Sequence, residues 1–128
     1  MRQYEGEADG ANKQGIVDRV KKYVNDHIFE DVILEDIAND MFMTTTHLRR
    51  IIKKQTGETF LQYVTRKKME KAAELLRDPR YKVYQVGAML GYNTPRYFSK
   101  LFYSFYGYYP QQYRKDVLKL GDLIDETE

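Results

Sequence analysis

Apolar residues recur along this chain at helical spacing, separated by short polar breaks. Within 16–29 they fall at Ile16, Val17, Val20, Tyr23, Val24 and Ile28, one stripe of an amphipathic helix. A short second helix is predicted over 34–40, with Leu34, Ile37, Ala38 and Met41 sharing a face. Glu35 and Asp36 in its first turn suit the positive end of the helix dipole. After the turn Phe42-Met43-Thr44, Leu48, Ile51 and Ile52 sit at i, i+3, i+4, and the opposite face carries Thr46, Arg49, Arg50 and Lys53. Threonines stand where a hydroxyl caps the first turn, and Gly57 stands where a helix stops in the left-handed region. A long helix is predicted over 59–77, opened by the capping box Thr59/Gln62 and ended by Asp78-Pro79. Its core stripe is Met69, Ala72, Ala73 and Leu76, and Arg66, Lys67, Lys68 and Lys71 are expected on its exposed side.

The pattern then repeats. Val86-Gly87 answers Ile37-Ala38 and Leu90 answers Met41, at an offset of 49 residues. After a turn one residue longer, Tyr97-Phe98 answers His47-Leu48, Leu101-Phe102 answers Ile51-Ile52, and Gly107 answers Gly57, at an offset of 50. This second basic helix has Pro95 in its first turn and Asn93 or Thr94 as cap. Phe98, Leu101, Phe102 and Phe105 are expected in the core, and Arg96, Ser99, Lys100 and Tyr103 on the outer face. A last short helix opens at Tyr109-Pro110, with Tyr113 on its core side.

Composition narrows the classes. A chain of 128 residues with 42% apolar content can bury one core or two small ones, and the absence of cysteine excludes disulfides and thiolate metal sites. No apolar run approaches the ~20 residues of a membrane span. Residues 1–15 lack the apolar centre of a signal peptide, so a cytoplasmic location with no membrane association is expected. His27 and His47 are the only histidines and have no ligand-spaced neighbours. There is no Gly-rich phosphate loop, nucleophile elbow or paired-carboxylate pattern. No catalytic residue, metal or cofactor is expected, and the chain does not read as an enzyme.

Charge changes the picture more. The net charge is only +2, but 44–115 holds 15 Lys/Arg against 4 Asp/Glu, while the rest holds 6 against 15. A basic centre with acidic ends is the footprint of a nucleic-acid surface with a counter-charged periphery.

Two helix-turn-helix units, a long connecting helix and the run GYNTPRYFSKLFYSFYGYYPQQYR at 91–114 resemble the DNA-binding domain of AraC/XylS-type transcription regulators. The resemblance covers about 16–115. It rests on Lys68-Met69, Ala72, Val86, Gly91-Tyr92, Tyr97 to Lys100, Phe102, Gly107, Pro110 and Tyr113. It implies an all-α fold of about seven helices, in which two helix-turn-helix subdomains (16–57 and 79–115) are joined by a linker helix (58–78). A flexible leader (1–15) and an acidic tail (116–128) flank them. Gly87 departs from the family's usual alanine, Ile33 from its capping Ser or Thr, and Lys100 from its more usual Arg.

Carried over by position, the resemblance places base reading on Thr46, Arg49 and Arg50 in the first recognition helix and on Arg96, Ser99 and Lys100 in the second. These are the outward positions already found from periodicity. A guanidinium fork matches guanine O6 and N7, worth about 1–3 kcal/mol of discrimination per good pair. Lys53 and Lys54, a turn further on, suit phosphates. Thr44, Thr45, Asn93 and Thr94 lie at recognition-helix N-termini, where N–H groups and hydroxyls hold a phosphate as well as cap the helix. Tyr103 faces outward toward a phosphate or sugar.

The expected function is a sequence-specific regulator of transcription, more in keeping with an activator, inserting two unlike recognition helices into successive major-groove segments of an asymmetric duplex site. RNA polymerase and an upstream sensing or receiver domain are the partners this implies. A second reading, a helical module docking an acidic protein through its basic faces, fits the same charge segregation.

Overall fold

The computed structural model describes the backbone of residues 2–127 and the side chains of 13–119. The described residues form seven helices and no strand. Two compact units divide the chain, Met1–Thr65 and Arg66–Glu128.

The first unit holds α1 (Arg2–Asp26), α2 (Leu34–Asp40), α3 (Thr45–Thr56) and the opening turns of α4 (Phe60–Leu76). Its core takes most of the predicted set: Val17, Val20, Val24 and Ile28, then Leu34, Ile37 and Ala38 from α2, and Leu48, Ile51 and Ile52 from α3, while Ile16, Tyr23 and Met41 are only half-buried. Phe60, Tyr63 and Val64 complete it. Helix α1 starts ahead of the expected Ile16; the side chains of 1–12, in the expected leader, lie outside the described residues. Ile33 is extended at the N-cap of α2 and offers no side-chain bond, so this seven-residue helix is held by burial of its apolar face.

Its exit compensates. Met43 N–H donates to Ala38 O (2.9 Å) and Phe42 N–H to Asn39 O (3.1 Å), the double closure of a Schellman turn. Phe42 sits at the left-handed position of that turn, with φ 55° and its ring 97% exposed. The second unit repeats the closure, with Tyr92 N–H donating to Gly87 O (2.9 Å) and Gly91 N–H to Ala88 O (3.0 Å), but there Gly91 takes the positive φ.

The second unit contains the rest of α4, then α5 (Val83–Met89), α6 (Pro95–Tyr106) and α7 (Pro110–Thr127). Met69, Ala72, Ala73, Leu76, Val86, Leu90, Phe98, Phe102 and Pro110 are buried in it. Helix α7 runs past the short helix expected, and the side chains of 120–128, in the expected acidic tail, lie outside the described residues. Phe105 is 41% exposed rather than core. The stripe of α6 ends one turn early because Tyr106 takes over, its ring 4.8 Å from Phe102 and 6.0 Å from Tyr113.

Two cations expected at the surface or left without a role serve the fold, one buried and one half-buried. Lys68 is buried and its Nζ donates to Leu90 O (2.9 Å), capping the negative end of α5. The Arg114 guanidinium donates to Leu76 O (2.9 Å), Asp78 O (3.2 Å) and Tyr81 O, so α7 holds the end of α4 and the loop after it. In that loop Arg80 forms a fork on Asp78, which holds the Asp78 carboxyl down to about 2.

Candidate nucleic-acid interface

Helix α3 is built to show one face. Thr44 is extended at the N-cap and its Oγ1 accepts from His47 N–H (3.1 Å), while Gly57, at φ 81°, ends the helix. Between these stops Leu48, Ile51 and Ile52 are buried, which turns Thr46, Arg49, Arg50, Lys53 and Lys54 to the surface, all exposed. Thr45 is half-buried. Thr46, Arg49, Arg50, Lys53 and Lys54 line a depression of about 450 Å³ together with Thr59. Thr59 is a member that sequence reading gave only a capping role. It has that role too: its N–H donates to Gln62 Oε1 (2.9 Å) and its Oγ1 accepts from Gln62 N–H (3.1 Å).

Helix α6 repeats the arrangement in its own unit. Thr94 is its N-cap by backbone conformation but makes no side-chain cap bond, and Pro95 opens the helix. The first-turn N–H groups are therefore left without a side-chain cap. Arg96, Lys100 and Tyr103 are exposed, Ser99 is half-buried, and Asn93 and Thr94 are exposed ahead of the first turn.

Pairing separates these faces from other basic stretches. On α4, Arg66 and Lys67 bond Glu70 (2.9 and 3.0 Å), and Lys71 bonds Glu74 (3.0 Å). The Lys67 bond keeps the Glu70 carboxyl below its ordinary range, so it stays charged against these cations. Among the described residues no ion pair engages Arg49, Arg50, Lys54, Arg96 or Lys100, and Lys53 turns its Nζ back to Gly57 O (3.0 Å). Each recognition helix lacks acidic residues, so its cations keep their full field for an outside anion.

Helix order, the Schellman turns and the outward faces of α3 and α6 define a tandem helix-turn-helix domain. The family model described as "Helix-turn-helix domain" matches residues 37–116. The chain is 30% identical over 96 residues to the regulatory protein PocR of Salmonella typhimurium, which covers 75% of this chain and 32% of PocR. It is 35% identical to the C-terminal domain of AraT, a response regulator from Geobacillus stearothermophilus, with a TM-score of 0.73 over 79% of this chain and 84% of that one. The DNA-binding domain of AdpA, a global transcriptional factor solved in complex with a target DNA, shares the fold at 24% identity. Its TM-score is 0.71, covering 78% of this chain and 90% of that domain. The chain belongs to the AraC-type helix-turn-helix family. It spans about a third of the length of curated relatives such as PocR, at 32%.

Proposed function

We propose that this chain is the DNA-reading part of a transcription regulator, with α3 and α6 each entering a major-groove segment of an asymmetric duplex site. The observation that carries the reading is the pair of helix faces whose cations have no carboxylate partner within a fold that buries the other side of each helix. On α3, Thr46, Arg49 and Arg50 read base edges, and Lys53 and Lys54 neutralise phosphates. On α6, Arg96, Ser99 and Lys100 occupy the same register and read a different sequence, because the groups offered are different. Phosphates lie at the two helix starts, against Thr44 and Thr45 on one side and Asn93, Thr94 and the open N–H groups on the other, with the Tyr103 hydroxyl reaching another.

Activation of transcription through contact with RNA polymerase is the role proposed for the whole regulator. PerA and RhaS, two relatives at about 30% identity, are described as activators. A sensing or receiver domain ahead of this one fits the greater length of the relatives and AraT's description as a response regulator. A cytoplasmic location follows from that role. Among the described residues no helix is long and apolar enough to cross a membrane.

The test is selection of sites from random duplex DNA, followed by titration against salt. The reading expects an enriched motif of two dissimilar parts and binding that falls steeply with salt as counterions are released. Absence of binding at low salt would overturn it in favour of docking to an acidic protein.

A further inference from the structure

We infer that Tyr103 and Tyr109 form an aromatic reader that selects a thymine, through its C5 methyl, in the part of the site facing α6. The inference rests on the DNA-reading function proposed above and deepens it.

The two units share a register through the end of the recognition helix. Gly57 and Gly107 close α3 and α6 with φ 81° and 75°, and the bonds Tyr63 N–H to Thr59 O and Tyr113 N–H to Tyr109 O are both 2.9 Å. Tyr103 therefore stands where the first unit has Lys53, and Tyr109 where it has Thr59. The first unit is polar at both places: the Lys53 ammonium lies on Gly57 O, the Thr59 hydroxyl caps α4, and both line the depression beside Arg49 and Arg50.

The second unit has replaced a cation and a small hydroxyl with two rings. Their centroids are 4.6 Å apart at 31°, yet Tyr103 remains 47% and Tyr109 52% exposed. The core does not need them, since Phe98 and Phe102 fill it and are fully buried. Tyr103 is one helical turn beyond Ser99 and Lys100, and Tyr109 and Ser99 border the same cleft of about 630 Å³.

A pair of rings already packed on each other loses little freedom when a third apolar group joins it. The apolar group that the floor of the major groove offers is the thymine methyl. Helix α3 offers Arg49, Arg50, Lys53 and Lys54 on its exposed face, whereas α6 offers only Arg96 and Lys100. The rings supply on α6 the contact area that α3 supplies as charge.

The experiment uses a duplex site selected by the wild-type domain, with each thymine replaced in turn by deoxyuridine, which lacks only the methyl. One replacement is expected to weaken wild-type binding about fourfold, the worth of one methyl group removed from water. The same replacement should cost nothing in Tyr103→Ala or Tyr109→Ala, and should still cost about fourfold in Arg49→Ala. Thermal melting of both tyrosine variants at the wild-type temperature excludes a folding effect, as expected for side chains half in solvent. A preferred site in which no methyl matters, or a methyl effect that survives in both tyrosine variants, overturns the inference and leaves the DNA reading standing. Loss of affinity in the tyrosine variants without any methyl effect leaves Tyr103 with only the backbone contact proposed above and also overturns it. Failure of the wild type to prefer any site overturns the reading and the inference together.

Discussion

Gly87 shows how a single position is decided by its neighbour. The repeat aligns it with Ala38, and by helix propensity alone glycine there costs about 0.5–1 kcal/mol. A Cβ added at Gly87, however, would stand 2.9 Å from Cγ and Cδ2 of Phe98. At the corresponding positions the first unit has a larger residue, Ala38, and a smaller one, Leu48, both buried. Gly87→Ala is expected to destabilise the domain by about 1–3 kcal/mol despite its better propensity. Gly87→Ala with Phe98→Leu should recover part of that loss, read as a non-additive double-mutant cycle in urea unfolding. Phe42 makes the opposite case. Its φ of 55° is strained and its ring is almost wholly in solvent, so Phe42→Gly is expected to raise stability by about 1 kcal/mol, measured in the same unfolding series. Periodicity located both positions but was silent on their packing, which depends on side-chain volume across a tertiary contact.

At the scale of the element, the helices were legible where an apolar stripe lies between recognisable stops; the start of α1 and the end of α7 were not. The Thr44 cap, the Thr59/Gln62 box and the left-handed Gly57 and Gly107 all stand where the residue types indicated. Burial of a cation was not legible. Arg66, Lys67 and Lys68 read as one solvated run, yet Lys68 turns inward to Leu90 O, a partner 22 residues away in sequence. Lys68→Met should leave that carbonyl without its charged donor and cost about 1–3 kcal/mol. The loosened turn between α5 and α6 should weaken DNA binding more at 37 °C than at 10 °C, which titration at the two temperatures checks. Phe105 failed for a related reason: the last turn of α6 packs Tyr106 on Phe102 and Tyr113 instead, and spacing alone ranked Phe105 above Tyr106.

For the molecule as a whole, the charge surplus of 44–115 is not one surface. Lys68 and Arg114 serve the fold, and Arg66, Lys67 and Lys71 are matched by Glu70 and Glu74. Arg49, Arg50, Lys54, Arg96 and Lys100, on the two recognition helices, are left open, as are Arg77, Lys82 and Lys115 outside them. Lys54→Ala is therefore expected to weaken binding evenly across DNA sequences and to reduce the steepness of log affinity against log salt by about 0.9, one phosphate's worth. Arg49 and Arg50 should behave differently, because a guanidinium at a base edge contributes discrimination as well as charge. The most direct measurement compares wild type with the Arg49→Ala/Arg50→Ala variant on the selected site and on copies mutated in each half. The variant is expected to lose its preference at the positions facing α3 while keeping its preference at those facing α6. Unchanged preference in both halves would contradict the assignment of α3 as a base-reading helix.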